Sequence, residues 1–156
     1  MQKITPCLWL NGNAQEALDY YLSVFKDAKV TSKSYYGEGM HLPKGSLLTA
    51  MISVFGQDLM FLNADHPFEF THALSLVINC KDQAEVDYYW ERLTEDGGVE
   101  EQCSWVKDKF GLSWQVVPEI MVKILSQSDK EKTDRVMKVM MTMKKLNIAE
   151  LEAAAK

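Results

Sequence analysis

Apolar residues along this chain keep two rhythms, and each change of rhythm marks an element. The runs "ITPCLWL" and "HALSLVI" suit buried strands, and each leads into a stretch where apolar positions recur at three- and four-residue steps. In the first stretch Ala14, Ala17, Leu18, Tyr21, Leu22 and Phe25 make one stripe, with Asn13 placed as N-cap. In the second, Val86, Tyr89, Trp90 and Leu93 follow Asp82, and the "DGG" at Asp96 to Gly98 stops the helix. Strand-like runs then return: "KVTSKSYY", "SLLTAMISVF" and "DLMFLN" after the first helix, "VEEQCSWVK" and "LSWQVVP" after the second.

The two halves match each other. Laid over "NCKDQAEVDYY" from Asn79, the segment "NGNAQEALDYY" from Asn11 shares Asn11/Asn79, Gln15/Gln83, Asp19/Asp87, Tyr20/Tyr88 and Tyr21/Tyr89. A second match sets "VFGQDLMF" against "KFGLSWQV", each with a Phe-Gly turn before a final strand. Asp108 and Gly111 hold the first and fourth places that a type I turn favours. The architecture expected is two strand–helix–strands modules. Beyond them, "PEIMVKILSQ" and "SDKEKTDRVMKVMMTMKKL" read as helices, the latter capped by Ser128 or Asp129, and "IAELEAAAK" closes the chain. The cluster Val136, Met137, Met140, Met141 and Met143 is expected to dock on the chain's own core or across a dimer.

Composition narrows the function. With 156 residues the chain is long enough for one self-supporting domain, and a formal charge of −5 argues against nucleic-acid or anionic-membrane partners. Cys7, Cys80 and Cys103 form no CxxC and cannot all pair within one chain, which favours a reducing, cytoplasmic setting. No stretch approaches the ~18 apolar residues of a spanning helix.

The paired modules, the "DYY" helix and the D-x-x-G turn resemble the vicinal oxygen chelate superfamily of glyoxalases, extradiol dioxygenases and bleomycin-resistance proteins. More narrowly, "PCLWLNGNAQEALDYYLSVF", "KDKFGLSWQVVP" and "MKKLNIAELEAA" resemble its PhnB-like branch, often labelled a 3-demethylubiquinone 3-methyltransferase domain. The resemblance implies an α+β fold of two βαβββ modules, about 1–66 and 70–118, whose curved mixed sheets enclose a cavity. A C-terminal helical extension, about 119–156, and a homodimer are also implied.

Metal-using members hold a divalent ion with His and Glu side chains from the first and last strands of each module. Here those places fall on Pro6, on Leu74 or Ser75, and, four residues after each turn glycine, on Met60 and Gln115. Proline offers no side-chain donor, methionine sulfur is soft, and Gln115 supplies only a neutral carbonyl. No metal and no cofactor is therefore expected. His41, His66 and His72 stand at element edges without mutual ligand spacing; His72 is the one nearest a lost ligand place.

Methyl transfer has no support in the residues: "YGEG" runs into another strand instead of a helix, and G-x-G-x-x-G is absent. Strand alternation puts Ser113, Gln115 and Val117 on one face and Asp58, Met60 and Leu62 on another, with Leu112, Trp114 and Val116 under the helices, and Trp9 with Cys7 likewise. Met60, Leu62, Ser113, Gln115, Trp105 and His72 are the candidate ligand-contacting residues. They suit a small organic molecule bound without metal. The alternative is a metal-dependent lyase, isomerase or dioxygenase using ligands such as His72. The residues leave open whether any reaction is catalysed.

Overall fold

The computed structural model describes residues 2–126 and 129–156 and divides into two compact units, Met1–Glu69 and Phe70–Lys156. The first contains β1 (Cys7–Asn11), α1 (Ala14–Val24), β2 (Lys29–Tyr35), β3 (Leu47–Val54) and β4 (Gln57–Ala64) in a four-stranded sheet of order β1-β4-β3-β2. β1 runs parallel to β4; the other pairs are antiparallel. The second contains β5 (Ser75–Cys80), α2 (Gln83–Thr94), β6 (Val99–Glu100), β7 (Trp105–Lys107) and β8 (Ser113–Pro118) in the same kind of sheet, β5-β8-β7-β6. There β5 is parallel to β8.

Each helix covers one face of its sheet. Ala14, Ala17, Leu18, Tyr21 and Val24 of α1 are buried, as are Leu8, Leu10, Ala50, Ile52, Leu59 and Phe61 below them. Each large aliphatic or aromatic side chain so covered contributes about 1.5–3 kcal/mol. Tyr21 stacks on Phe61 with centroids 5.6 Å apart. Asn13 takes the N-cap position but makes no side-chain cap bond. Instead Asn63 of β4, buried, accepts from the Ala14 N–H at 3.3 Å and donates to the Leu47 carbonyl at 2.8 Å. One amide thus ties helix and sheet. In the second unit Asp82 caps α2, accepting from Glu85 N at 2.9 Å.

The two Phe-Gly turns differ in geometry. Phe55 and Gly56 both have positive φ (49° and 79°) and join Val54 to Gln57 directly, as a two-residue hairpin does. In the second copy the Gly111 N–H bonds the Asp108 carbonyl at 2.9 Å, and the strands pair only from Lys107 to Ser113.

The expected long strand "VEEQCSWVK" is broken into β6 and β7. Cys103 and Ser104 between them sit at φ 57° and 72°, which costs roughly 1–2 kcal/mol per residue without a glycine. Tail backbone holds them there: Cys103 N donates to Met143 O and Ser104 N to Lys144 O, both at 2.9 Å. The tail forms α3 (Glu119–Leu125), α4 (Lys130–Met140) and α5 (Ile148–Ala154). Asp129 caps α4 by accepting from Lys132 N at 3.0 Å, while Ser128 lies outside the described residues. Helix α4 ends before Met141, which is exposed. Val136, Met143, Leu146 and Leu151 are buried in one cluster with Met121 and Ile124, so most of the Met-rich stripe docks on the chain itself.

The repeat explains how the tail is held. Gln15 bonds Asp19 at 2.9 Å in α1, and Gln83 bonds Asp87 at 3.1 Å in α2. Only the second pair grips the tail: Gln83 donates to Leu146 O at 3.1 Å and accepts from Ile148 N at 2.8 Å, and Lys145 meets Asp87 at 2.7 Å.

Candidate functional site

In each unit the functional interest lies on the sheet face turned away from the first helix. In the second unit Trp114 and Val116 are buried on the α2 side, which puts Ser113, Gln115 and Val117 on the other. Register adds neighbours to that face. Gln115 stands between Val77 of β5 and Trp105 of β7, and Ser113 between Ser75 and Lys107. The Glu101 N–H continues the Gln115 row by bonding Trp105 O at 2.9 Å. Of the two first-strand places considered, Ser75 shares this face, while Leu74 precedes the strand and is exposed.

Gln115 Nε2 donates to Ser75 Oγ at 2.9 Å. The neutral amide is satisfied there by a hydroxyl. Ser113 is fully buried and its Oγ has no hydrogen-bond partner. At the edge of the face, His72 Nε2 lies 2.9 Å from both carboxylate oxygens of Glu101, and its ring centroid is 6.1 Å from that of Trp105. His72 is half exposed, so this pair contributes little stability. The strand is aimed from below by Asp108, 2% exposed. Its Oδ1 accepts from Phe110 N (2.9 Å) and Leu112 N (3.1 Å), and its Oδ2 from Trp114 Nε1 (2.7 Å).

In the first unit Met60 and Leu62 lie on the helix-free face, as expected. Trp9 and Cys7 do not pack under α1: the buried β1 residues are Leu8 and Leu10, so Trp9 and Cys7 share the face of Met60 and Leu62. Cys7, opposite Met60, is thus the side chain facing this site, and Pro6 contributes only its carbonyl, which accepts from Met60 N at 2.9 Å. Trp9 meets Phe68 edge-on at 5.1 Å and His66 at 6.3 Å, yet its buried Nε1 donates to nothing. Trp9 was missed as a site residue because apolar neighbours on both sides hide which face it takes.

The structure therefore groups His72, Trp105, Ser113 and Gln115 on one face and Met60 with Leu62 on another, each within its own unit. In neither unit do the first- and last-strand places fit a hard divalent ion: Cys7 and Met60 in the first, and Ser75 and Gln115 in the second, present no carboxylate and no imidazole. Among the described residues no three His, Cys, Asp or Glu side chains gather as a metal site. All three cysteines are free thiols. Cys80 is pushed up to about 12 by burial and by Glu85 and Asp82, and the thiol of Cys7, an exposed residue, is raised by partial desolvation, so neither is an activated nucleophile. A concavity of about 330 Å³ lies elsewhere, between the first turns of α2 and α5, and holds none of the candidate residues. Its cap side chains, Asp82 and Asn147, already accept from their own helices, so we do not read it as the site.

Two sheets of order parallel–antiparallel–antiparallel, each carrying its helix on one face, define a vicinal oxygen chelate fold. The fosfomycin resistance protein FosX of Listeria monocytogenes shares it at 16% identity, with TM-score 0.57 over 81% of this chain and 98% of that one. Residues 2–117 match the family described as 3-demethylubiquinone-9 3-methyltransferase, and the chain belongs to that PhnB-like family. A putative 3-demethylubiquinone-9 3-methyltransferase, PhnB protein, from Bacillus cereus is 32% identical, with TM-score 0.68 over 75% of this chain and 99% of that one. Protein PA1353 of Pseudomonas aeruginosa is 23% identical, with TM-score 0.63 over 76% and 98%. No curated protein matches the chain. No helix among the described residues is long and apolar enough to cross a membrane.

Proposed function

We propose that this protein is a dimeric PhnB-like binding protein. It takes a small, largely uncharged organic molecule against the sheet faces turned away from α1 and α2, without a hard divalent ion. The observation that carries this reading is the pair of orphaned buried groups, Trp9 Nε1 and Ser113 Oγ. A buried polar group left without a partner costs about 1–3 kcal/mol, so sites that keep one do so for a ligand atom or a water. Their surroundings are mostly apolar or neutral, with Met60 and Leu62 in one unit and Val77, Trp105 and Gln115 in the other beside the charged Asp58 and Lys107, which favours a largely uncharged ligand. Val77 and Val99, exposed on the second face, support a second copy as a covering partner.

Methyl transfer is disfavoured by the architecture. The "YGEG" glycines lie in an irregular connection between β2 and β3, with no helix N-terminus to receive a cofactor phosphate or carboxylate. Using His72 in a metal site is disfavoured because, among the described residues, no third His, Cys, Asp or Glu gathers with His72 and Glu101.

The test is a thermal-shift and calorimetric screen of neutral aromatic and heterocyclic compounds, with Trp9→Phe and Ser113→Ala as probes. Binding that weakens about tenfold (about 1.4 kcal/mol) in either variant supports the proposal. Unaltered binding in both variants, or saturable heat with S-adenosylmethionine, contradicts it.

A further inference from the structure

Three sulfur side chains line up across the helix-free face of the first sheet. Cys7 of β1 is the register partner of Met60 in β4, and Met60 is the partner of Met51 in β3. Their strand neighbours Leu8, Leu59, Phe61, Ala50 and Ile52 are buried on the α1 side, so all three sulfurs project to the other. Register partners keep their Cβ atoms about 5 Å apart, within reach for the sulfurs of Cys7 and Met60 to share one ion and for Met51 to approach it. Cys7 is exposed, and Met60 and Met51 are partly buried, so the row is accessible without being fully hydrated.

We propose that this row binds one soft monovalent cation, copper(I), through the Cys7 thiolate and the Met60 thioether, with Met51 as third donor. Thiolate and thioether sulfur select copper(I) over hard ions, which want oxygen. Charge decides the same way. One thiolate matches the charge of a monovalent ion, while Asp58, the carboxylate two residues from Met60 on the same face, already accepts from the Gln2 N–H at 3.4 Å. Binding is a ligand exchange: the Cys7 S–H bond breaks, its proton leaves to water, a copper–sulfur bond forms, and copper stays in the +1 state. Cys80 offers no such site, because it is fully buried opposite Pro118 and donates to the Ile78 carbonyl. Met60 also lines the face of Trp9, so the two readings are told apart by their probes: copper binding is read in Cys7→Ser and Met51→Leu, which leave Trp9 Nε1 and Ser113 Oγ in place.

The test is anaerobic titration of the full chain with copper(I) against a chromogenic copper(I) chelator, with native mass spectrometry for stoichiometry and X-ray absorption for the coordination shell. One copper per chain in a sulfur-only shell is expected. Affinity should fall about a hundredfold in Cys7→Ser and about tenfold in Met60→Leu, about 2.7 and 1.4 kcal/mol, and hold in Cys80→Ser and Cys103→Ser. Met60→Leu conserves volume and is expected to fold, which circular dichroism checks, and Met51→Leu gives a second thioether probe. No copper held against the chelator, copper held equally by Cys7→Ser, or copper lost in Cys103→Ser overturns the proposal.

Discussion

Asp108→Asn tests how the last strand of the second unit is aimed, because it changes chemistry at constant shape. The carboxylate accepts three hydrogen bonds, from Phe110 N, Leu112 N and Trp114 Nε1, at a site 2% exposed. Bonds to a charged acceptor are worth about 1.5–3 kcal/mol and neutral ones about 0.5–1.5, so the two backbone bonds weaken by roughly 1 kcal/mol in sum. The amide NH₂ then faces the indole N–H donor to donor, which forfeits the third bond and leaves a buried donor orphaned, at about 1–3 kcal/mol. Flipping the amide is worse, since it sets the NH₂ against two backbone donors. The expected loss is about 3 kcal/mol, a large part of the 5–15 kcal/mol that typically holds a domain. Trp114→Phe removes the indole donor and part of a buried ring, and is expected to cost about 2–4 kcal/mol. With both changes the donor clash vanishes, so the double variant should be more stable than the sum of singles by about 1–2 kcal/mol. Urea unfolding followed by far-UV circular dichroism and tryptophan fluorescence reads all three. An Asp108→Asn loss under about 0.5 kcal/mol, or strict additivity, would refute the assigned hydrogen-bond pattern.

Asn63→Leu should cost about 2–4 kcal/mol in the same assay, because it strips partners from the buried Ala14 N–H and Leu47 C=O. Gln83→Ala removes two bonds to the tail and should speed hydrogen exchange across residues 143–154 while β5 and β8 stay protected. Asp87 is held below its ordinary 3.8 by hydrogen bonds from Lys145 and Gln83, so its contribution is present above that value and fades as pH falls beneath it; tail exchange should quicken first below about pH 4, and modestly, since the pair is largely exposed. Cys80, raised from 9.0 to about 12, holds its proton more tightly when folded. Its contribution is therefore intact below pH 9 and drains as pH rises toward 12, by up to about 1.4 kcal/mol per pH unit, and Cys80→Ala should flatten that slope in urea unfolding.

Periodicity carried the architecture well. The paired stripes of α1 and α2, the shared Gln–Asp pairs and the two Phe-Gly turns are local signals that do not depend on distant contacts. Places where the reading failed depend on such contacts. Asn13 looks like a cap, but Asn63, fifty positions later, accepts from Ala14 N. The run around Cys103 looks like continuous strand, but Met143 and Lys144 supply backbone acceptors that bend it into left-handed φ. Trp9 has leucines on both sides, so no alternation distinguishes its face until β4 fixes the register. At the candidate site, the identities of Pro6, Met60 and Gln115 were enough to argue against hard-ion ligation. The Gln115–Ser75 bond and the unpaired Trp9 and Ser113 groups needed coordinates.

Electron density from a crystal grown without additives tests the central claim most directly. The account predicts an organic molecule with an acceptor atom within hydrogen-bond distance of Trp9 Nε1 or Ser113 Oγ, and Gln115 still bonded to Ser75. A fully occupied Zn, Ni, Mn or Fe ion ligated by the Gln115 carbonyl oxygen would contradict it.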